Sequence, residues 1–282
     1  MPDSDAQALG SAYRMLWRLH AAARLLSERA LDWDTLGEGG RAFILWTALH
    51  ADLEKSEDAA VAQKAKDYMG LLTPVLKAYL TDKGFHVASL GMQVHGGSGY
   101  TEHFTASQYL RDARITMIYE GTNGIQALDL LGRKVLLQTR GQCVRDFTAQ
   151  MWVLARPGLL AGGLRGRMAR ALARRAVQWN TLTLRLMLKA KADPEQVGAS
   201  SVDYLMYCGY VMMAYHWALM AQRAEQALHS GQGPESAAFY QAKLQTAQFY
   251  FERLLPRADA HHRMALAPAS TLLQMPVATI AG

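Results

Sequence analysis

Apolar residues recur every three or four positions from Asp58 to about Val94, which is the spacing of one face of an α-helix. Pro74 lies inside this stretch and cannot donate a backbone hydrogen bond. It therefore predicts either a kink in one long helix or the first turn of a second helix. Ala, Leu, Met, Gln and Arg dominate the composition while Val-Ile-Thr runs are scarce, which favours helices over strands. We expect an all-α protein.

The same spacing predicts helices before and after this stretch. They are expected at about residues 11–30, 40–54, 122–139, 164–191, 200–229 and 236–255. A loop or short helix is expected between the glycines at 96–99 and about residue 120. Prolines recur in residues 256–282, which predicts a mostly irregular tail. We divide the chain into a first helical domain, 1–140, and a second helical region with the tail, 141–282.

The charge of the chain is mildly basic. Its formal net charge of +6 and pI near 9.3 suit anionic ligands but equally suit solubility alone. An Arg-rich run could bind phosphates or nucleic acid; it comprises Arg165, Arg167, Arg170, Arg174 and Arg175. Such a run is more typical of a solvated helix face, and no aromatic residues are interleaved with it. Nucleic acid is therefore not expected as a partner.

Cysteine and histidine patterns indicate neither a disulfide framework nor a metal site. Cys143 and Cys208 stand 65 positions apart without a second Cys or a spaced His pair nearby. His261 and His262 lack other ligands at metal-binding spacing. The acidic N-terminus lacks the features of a secretory signal. We expect a reducing, cytoplasmic setting and no bound metal.

The most apolar stretch, Val202 to Ala221, has about the length of a membrane span. It contains Asp203, Gly209 and His216, and it lacks flanking basic residues. A buried helix is therefore predicted rather than a membrane span.

Three clusters of residues carry the functional signal. They are Gln93–Tyr100, with glycines at 96, 97 and 99; Arg111–Arg114; and Ile118–Gln126. Their order and spacing resemble the C-terminal helical domain of acyl-CoA dehydrogenases, and the likeness continues more loosely through 81–85 and 130–134. Residues 195–256 resemble the helical extension of a longer subgroup, which includes methylthiopropanoyl-CoA dehydrogenases. The fold expected from this resemblance is the family's C-terminal helical bundle followed by a second helical extension.

Glu120 is the candidate base. Removing hydrogen across the α and β carbons of a thioester requires a base for the α proton and an acceptor for the β hydride. Ile118 and Tyr119 precede Glu120 and Gly121 follows it, so the carboxylate has an apolar approach on a turn. Desolvation there would raise its pKa towards a useful range. The resemblance also assigns Tyr119 and Gly121 to the acyl-thioester site.

Five residues are candidates for the cofactor. Thr122 precedes a predicted helix, and Asn123 and Gly124 leave its first turn open to a pyrophosphate. Gly96 and Gly97 let a nucleotide approach the backbone, and Gln93 offers donors and acceptors. The resemblance implies that Gln93, Gly96, Gly97, Thr122 and Gly124 contact FAD. The family often has Gln where this chain has Gly124, which puts one flavin contact in doubt.

Simpler explanations exist for each feature taken alone. A carboxylate such as Glu120 in a turn is usually solvated, and a glycine run is usually only a turn. The adjacent Arg111 and Asp112 are expected to fix a loop through hydrogen bonds. The role of His95 stays open. The three clusters at their observed spacing are what favours the family.

The resemblance implies a reaction and its partners. Complete family members place an N-terminal helical domain and a β-domain before this bundle, and we expect neither in this chain. It would supply the base-carrying part of an FAD-dependent acyl-CoA dehydrogenase, acting on an acyl-CoA and passing electrons to an electron-transfer flavoprotein. A homo-oligomer or a partner chain would supply the missing domains. The alternative is a non-catalytic helical assembly module or a nucleic-acid-binding module derived from the family.

Overall fold

The computed structural model describes residues 38–119 and 121–274, which form helices and short connections without a β-strand. The helices are α1 Glu38–Leu53, α2 Ala59–Val94, α3 Gly97–Tyr100, α4 Ala106–Ile115, α5 Asn123–Leu128, α6 Gln142–Ala155, α7 Gly163–Ala192, α8 Glu195–Ser230, α9 Ala237–Phe249, α10 Arg257–Ala265 and α11 Ser270–Leu273. Two of them continue as π-helices, α5 through Asp129–Gln138 and α9 through Tyr250–Leu254. The prediction of an all-α protein is confirmed.

Most predicted helix positions agree with the structure. The structure also decides between the alternatives that the sequence left open at Pro74 and at residues 96–120. Pro74 lies inside the single helix α2. The stretch predicted as a loop or short helix contains α3 and the ten-residue α4. The helix predicted at 11–30 lies outside the described residues.

The prediction of a mostly irregular tail was wrong for its described part, residues 256–274, because α10 and α11 occupy much of residues 257–273. Pro256 is the residue before α10, and Pro268 lies two residues before the first residue of α11. A proline fits the start of a helix because the first N–H groups there have no intrahelical partner. These prolines therefore mark helix starts rather than a structureless segment. Pro276 lies outside the described residues.

The described residues fall into two compact units, and the chain passes between them within α1, α2 and α5. Unit 1 contains residues 38–41, 77–119 and 121–123; unit 2 contains 42–76 and 124–274. The domain boundary near residue 140 stays a prediction. In unit 1, Ala88 of α2 and Ala113 of α4 are buried together, with Phe85 and Leu110 packed against them. This small apolar contact holds α4 against the second half of α2.

Arg111 and Asp112 do not fix a loop as predicted. Both lie within α4, where Arg111 donates to the Gln108 side chain and Asp112 accepts from it, at 2.8 and 2.7 Å. These bonds join residues three and four positions apart on the exposed surface of one helix.

Helix α8 forms the centre of unit 2. It is buried on all sides from Tyr204 to Ala218, and it packs against α7, α9 and α10. A helix that is surrounded by protein needs apolar residues on every face, which explains the apolar stretch at 202–221. Among the described residues, no helix has the length and hydropathy needed to cross a membrane.

The α7–α8 interface contains a hydrogen-bonded polar group. The Tyr204 hydroxyl accepts from Trp179 Nε1 at 3.2 Å and lies 2.8 Å from Thr183 Oγ1. Burial raises the pKa of Tyr204, which remains a neutral phenol. Because Trp179 and Tyr204 are both fully buried, these bonds satisfy polar atoms that would otherwise be unpaired.

Helix α10 is held to α7 by an ion pair. Arg175 of α7, with a side chain only 6% exposed, forms two hydrogen bonds to Asp259, at 2.5 Å to Oδ1 and 2.8 Å to Oδ2. Farther along, Ser200 Oγ donates to the Ala265 carbonyl at 2.6 Å. The interpretation of the Arg-rich run as a solvated helix face was therefore wrong for Arg175, which is buried and paired.

An aromatic cluster surrounds Trp46 in unit 2. Its ring lies 5.6 Å from each of the rings of Tyr68, Phe147 and His216. The three contacts tie α1 to α2, α6 and α8, respectively. His216 is 2% exposed, and its Nε2 has no hydrogen-bond partner. Burial lowers the pKa of His216 to about 3, so the imidazole is neutral in the folded protein.

Acid is expected to destabilise the protein through His216. The unfolded imidazole binds a proton below about pH 6.5 that the folded one does not bind until about pH 3. The free energy of unfolding should therefore fall with pH across this window, by about 1.4 kcal/mol per pH unit. His216→Met should keep about 2 kcal/mol that the wild type loses between pH 7 and pH 5. Urea unfolding at both pH values measures this. The exposed His229, changed to Met, is the control and should behave as the wild type.

Candidate functional site

The glycine-rich cluster forms the sharp turn at the end of α2. Gly96 has a φ of 60°, which favours glycine, and α3 begins at Gly97. Gln93, Gly96 and Gly97 are exposed. A Cβ added at Gly96 or Gly97 would meet nothing within 4 Å. The backbone at Gly96 and Gly97 is therefore not covered by other described residues.

Gly99 serves the fold instead. A Cβ at this position would lie 2.6 Å from the Met92 carbonyl oxygen and 2.6 Å from His95 Cβ. The last turn of α2 and the first turn of α3 can meet this closely only because Gly99 has no side chain.

Gly99→Ala is expected to lower the free energy of unfolding by about 1 to 3 kcal/mol, since the added methyl group overpacks against backbone. Gly97→Ala is the matched control. It adds the same group where space is open, and its effect should stay within about 0.5 kcal/mol. Chemical unfolding of the two variants measures the difference. Equal stabilities would show that the turn adjusts without cost.

The described residues 117–119 and 121–123 form a turn on either side of the candidate base; Glu120 itself lies outside the described residues. The Asn123 N–H donates to the Met117 carbonyl at 3.2 Å, which closes the turn. Gly121 has a φ of 67°, again a conformation that favours glycine. Ile118 and Tyr119 are each 52% exposed. The segment thus presents apolar side chains at an open surface.

The Asn123 side chain fixes the end of this turn to α2. Its Oδ1 accepts from Lys77 Nζ at 2.9 Å, and its Nδ2 donates to the Ala78 carbonyl at 3.2 Å and to Thr81 Oγ1 at 3.1 Å. Desolvation lowers the pKa of Lys77. This role was not predicted from the sequence, where Asn123 was considered only as part of an open first turn. Lys77 and Thr81 stand four residues apart on one helical face, which was the available signal.

Thr122 and Gly124 lie at the start of α5. Thr122 directly precedes the first helical residue, as predicted, and Gly124 is exposed with nothing within 4 Å of an added Cβ. Gln93, Gly96, Gly97, Tyr119, Gly121 and Thr122 belong to unit 1, whereas Gly124 belongs to unit 2. Their roles in cofactor and substrate binding stay predictions. In the described part of the chain, no group of three or more metal-ligating side chains occurs.

Two family models match most of the chain. Residues 40–136 match the model described as acyl-CoA dehydrogenase, C-terminal domain, and residues 144–276 match that described as acetyl-CoA dehydrogenase C-terminal like. The first match includes all of the candidate site residues, which lie at 93–97 and 119–124. The second covers the region in which α7 to α10 lie.

Curated relatives indicate the same family as the two family models. The chain is 36% identical over 250 residues to a 3-methylmercaptopropionyl-CoA dehydrogenase of Ruegeria pomeroyi, covering 88% of this chain and 41% of the relative. It is 32% identical over 231 residues to a broad-specificity linear acyl-CoA dehydrogenase, FadE5, of Mycobacterium tuberculosis, covering 78% and 37%. A butyryl-CoA dehydrogenase of Syntrophomonas wolfei is 27% identical over 228 residues.

The helical fold and these matches together place the chain in the acyl-CoA dehydrogenase family. Its likeness to the Ruegeria pomeroyi enzyme covers most of the chain and so extends into the C-terminal half. The chain spans about two fifths of the length of the curated relatives it matches.

Proposed function

We propose that this chain carries the base and part of the cofactor surface of an FAD-dependent acyl-CoA dehydrogenase. The observation that carries the proposal is the turn at 117–123, which is closed by its own backbone and fixed to α2 by Asn123. Glu120 on this turn removes the α proton of the acyl thioester. FAD, when bound, supplies the acceptor for the β hydride. Gln93, Gly96 and Gly97 form an exposed surface that fits the close approach of a nucleotide.

The apolar surface beside the turn supports a role in acyl-CoA binding. Ile118 and Tyr119 are half exposed, so a bound acyl thioester or flavin can cover them. Covering them excludes water from this apolar surface, which is the environment that a carboxylate base for the α proton needs. Tyr119 and Gly121 border the acyl thioester, and Thr122 and Gly124 border the cofactor phosphates.

The proposal extends to partners. The substrate is an acyl-CoA, and the partner that would accept the electrons is an electron-transfer flavoprotein in the cytoplasm. A homo-oligomer or a partner chain completes the flavin site. The Arg-rich run gives little support to the alternative of nucleic-acid binding: Arg175 pairs with Asp259, Arg167 lies 3.5 Å from Glu252, and Arg170 donates to two backbone carbonyls.

Flavin retention tests the proposal. The full chain is incubated with excess FAD, desalted and examined for the visible flavin band, then titrated anaerobically with butyryl-CoA and 3-methylmercaptopropionyl-CoA. Retained flavin that bleaches with an acyl-CoA is the expected result. A chain that retains no flavin, alone or with the other chains of its complex, contradicts the proposal and favours a non-catalytic assembly module.

A matched pair of variants locates the flavin on the chain. Gly97→Val fills open space at the predicted nucleotide surface, whereas Gly198→Val fills open space on α8. Only Gly97→Val should weaken flavin retention. Equal retention by both would remove Gly97 from the cofactor site.

A further inference from the structure

The Asn123 side chain has a hydrogen-bond arrangement that allows only one orientation. Lys77 Nζ can only donate and the Ala78 carbonyl can only accept, so the amide oxygen must face Lys77 and the amide nitrogen must face Ala78. The Thr81 hydroxyl donates to the Lys77 carbonyl at 2.8 Å, which leaves its oxygen free to accept from Asn123 Nδ2. The partners are thus mutually consistent, and three residues of α2 hold one amide.

This arrangement acts on a turn that is tied at both ends. On its N-terminal side, the Ile118 and Tyr119 N–H groups donate to the Ile115 carbonyl at 3.0 and 3.1 Å, which ties the turn to α4. On its C-terminal side, Asn123 joins it to α2. Between these ends lies Gly121, whose left-handed conformation directs the chain. Loss of the Asn123 side-chain bonds would remove the contact with α2 and leave the C-terminal end tied by the backbone bond from the Asn123 N–H to the Met117 carbonyl and by its continuation into α5.

We propose that Asn123, Lys77 and Thr81 form a positioning group that sets the base-bearing turn for removal of the substrate α proton. The inference rests on the proposed function, because it assigns this role relative to Glu120. None of the three side chains needs to touch the substrate. Their effect is to hold the turn in one conformation, since displacing a catalytic group by about 1 Å can cost on the order of 10²-fold in rate.

The conformation of the turn can be measured without activity. Hydrogen exchange of the amides in 118–123 should become about tenfold faster in Asn123→Ala, since three modest side-chain hydrogen bonds are lost. Asn180→Ala is the matched control. Asn180 also donates to a threonine hydroxyl, that of Thr148 at 2.7 Å, and to a helix carbonyl, that of Ala176 at 3.0 Å, but it lies in unit 2. It should leave exchange in 118–123 unchanged.

Kinetics then separate positioning from general stability. With butyryl-CoA, Asn123→Ala should lower kcat by about 10- to 100-fold with little change in KM or flavin retention. The isotope effect from α-deuterated butyryl-CoA should rise, because proton removal becomes rate-limiting. Asn180→Ala should change neither kcat nor the isotope effect. If Asn123→Ala does not fold, Thr81→Val removes one partner while keeping the side-chain shape and is tested in its place.

The outcomes distinguish this inference from the proposed function. Wild-type kcat in Asn123→Ala, together with an inactive Glu120→Gln, overturns the positioning group but keeps the base. Full activity in Glu120→Gln overturns both. Unchanged exchange in 118–123 overturns the positioning group whatever the activity is.

Discussion

Glu120→Gln is expected to slow acyl-CoA-dependent flavin bleaching by about 10²- to 10⁴-fold, which is the usual contribution of a general base. Glutamine has nearly the shape of glutamate but cannot accept the α proton. Flavin retention and the binding of acyl-CoA should therefore stay close to wild type. Rapid mixing of the flavin-loaded protein with butyryl-CoA measures the rate.

Glu102→Gln is the matched control for this prediction. Glu102 is an exposed glutamate in the same unit, between α3 and α4. The same change of charge there should leave bleaching unaffected. A Glu120→Gln variant that bleaches as fast as the control would remove Glu120 from the role of base.

Asp259→Ala is expected to lower the free energy of unfolding by about 3 kcal/mol. Removing one partner of a buried ion pair leaves the other charge without compensation, and Arg175 is the buried partner here. The expected loss is at the lower end of the range usual for a broken buried ion pair, because the Asp259 side chain is 36% exposed. Urea unfolding at neutral pH measures the loss, which should appear as a lower midpoint.

Glu252→Ala is the matched control, because the Glu252 pair with Arg167 lies at the surface with both side chains about half exposed. Its loss should be about 0 to 1 kcal/mol. Similar losses in Asp259→Ala and Glu252→Ala would show that burial of Arg175 adds nothing.

The Asp259 pair also has a defined pH dependence. Hydrogen bonds from Arg175 hold the pKa of Asp259 below its usual range. The stabilisation is therefore present above the ordinary carboxyl pKa of about 4 and is lost as the pH falls below it. His216 begins to act at higher pH, near pH 6.5, so its effect on the free energy of unfolding appears before that of Asp259 as the pH falls.

Local sequence patterns determined most of the helices. Residues 58–94 were expected to be helical because their apolar period is long, and α2 covers almost the same range. The family was also recognisable from sequence, since glycines and a carboxylate at fixed spacing are local features; the family matches confirm it. The roles of Glu120 and the flavin-binding residues stay predictions.

Tertiary contacts decided what the local patterns could not. The residues that hold Arg175 and Asn123 are distant in sequence: Asp259 is 84 positions from Arg175, and Lys77 is 46 positions from Asn123. The prolines of the tail were ambiguous, because a proline can end one helix or begin another. Pro256 begins a helix, because the residues after it form α10, which packs against α8. The sequence by itself determined where helices form and which family they belong to, whereas the tertiary structure decided which polar side chains are buried and paired, because pairing depends on residues that only folding brings together.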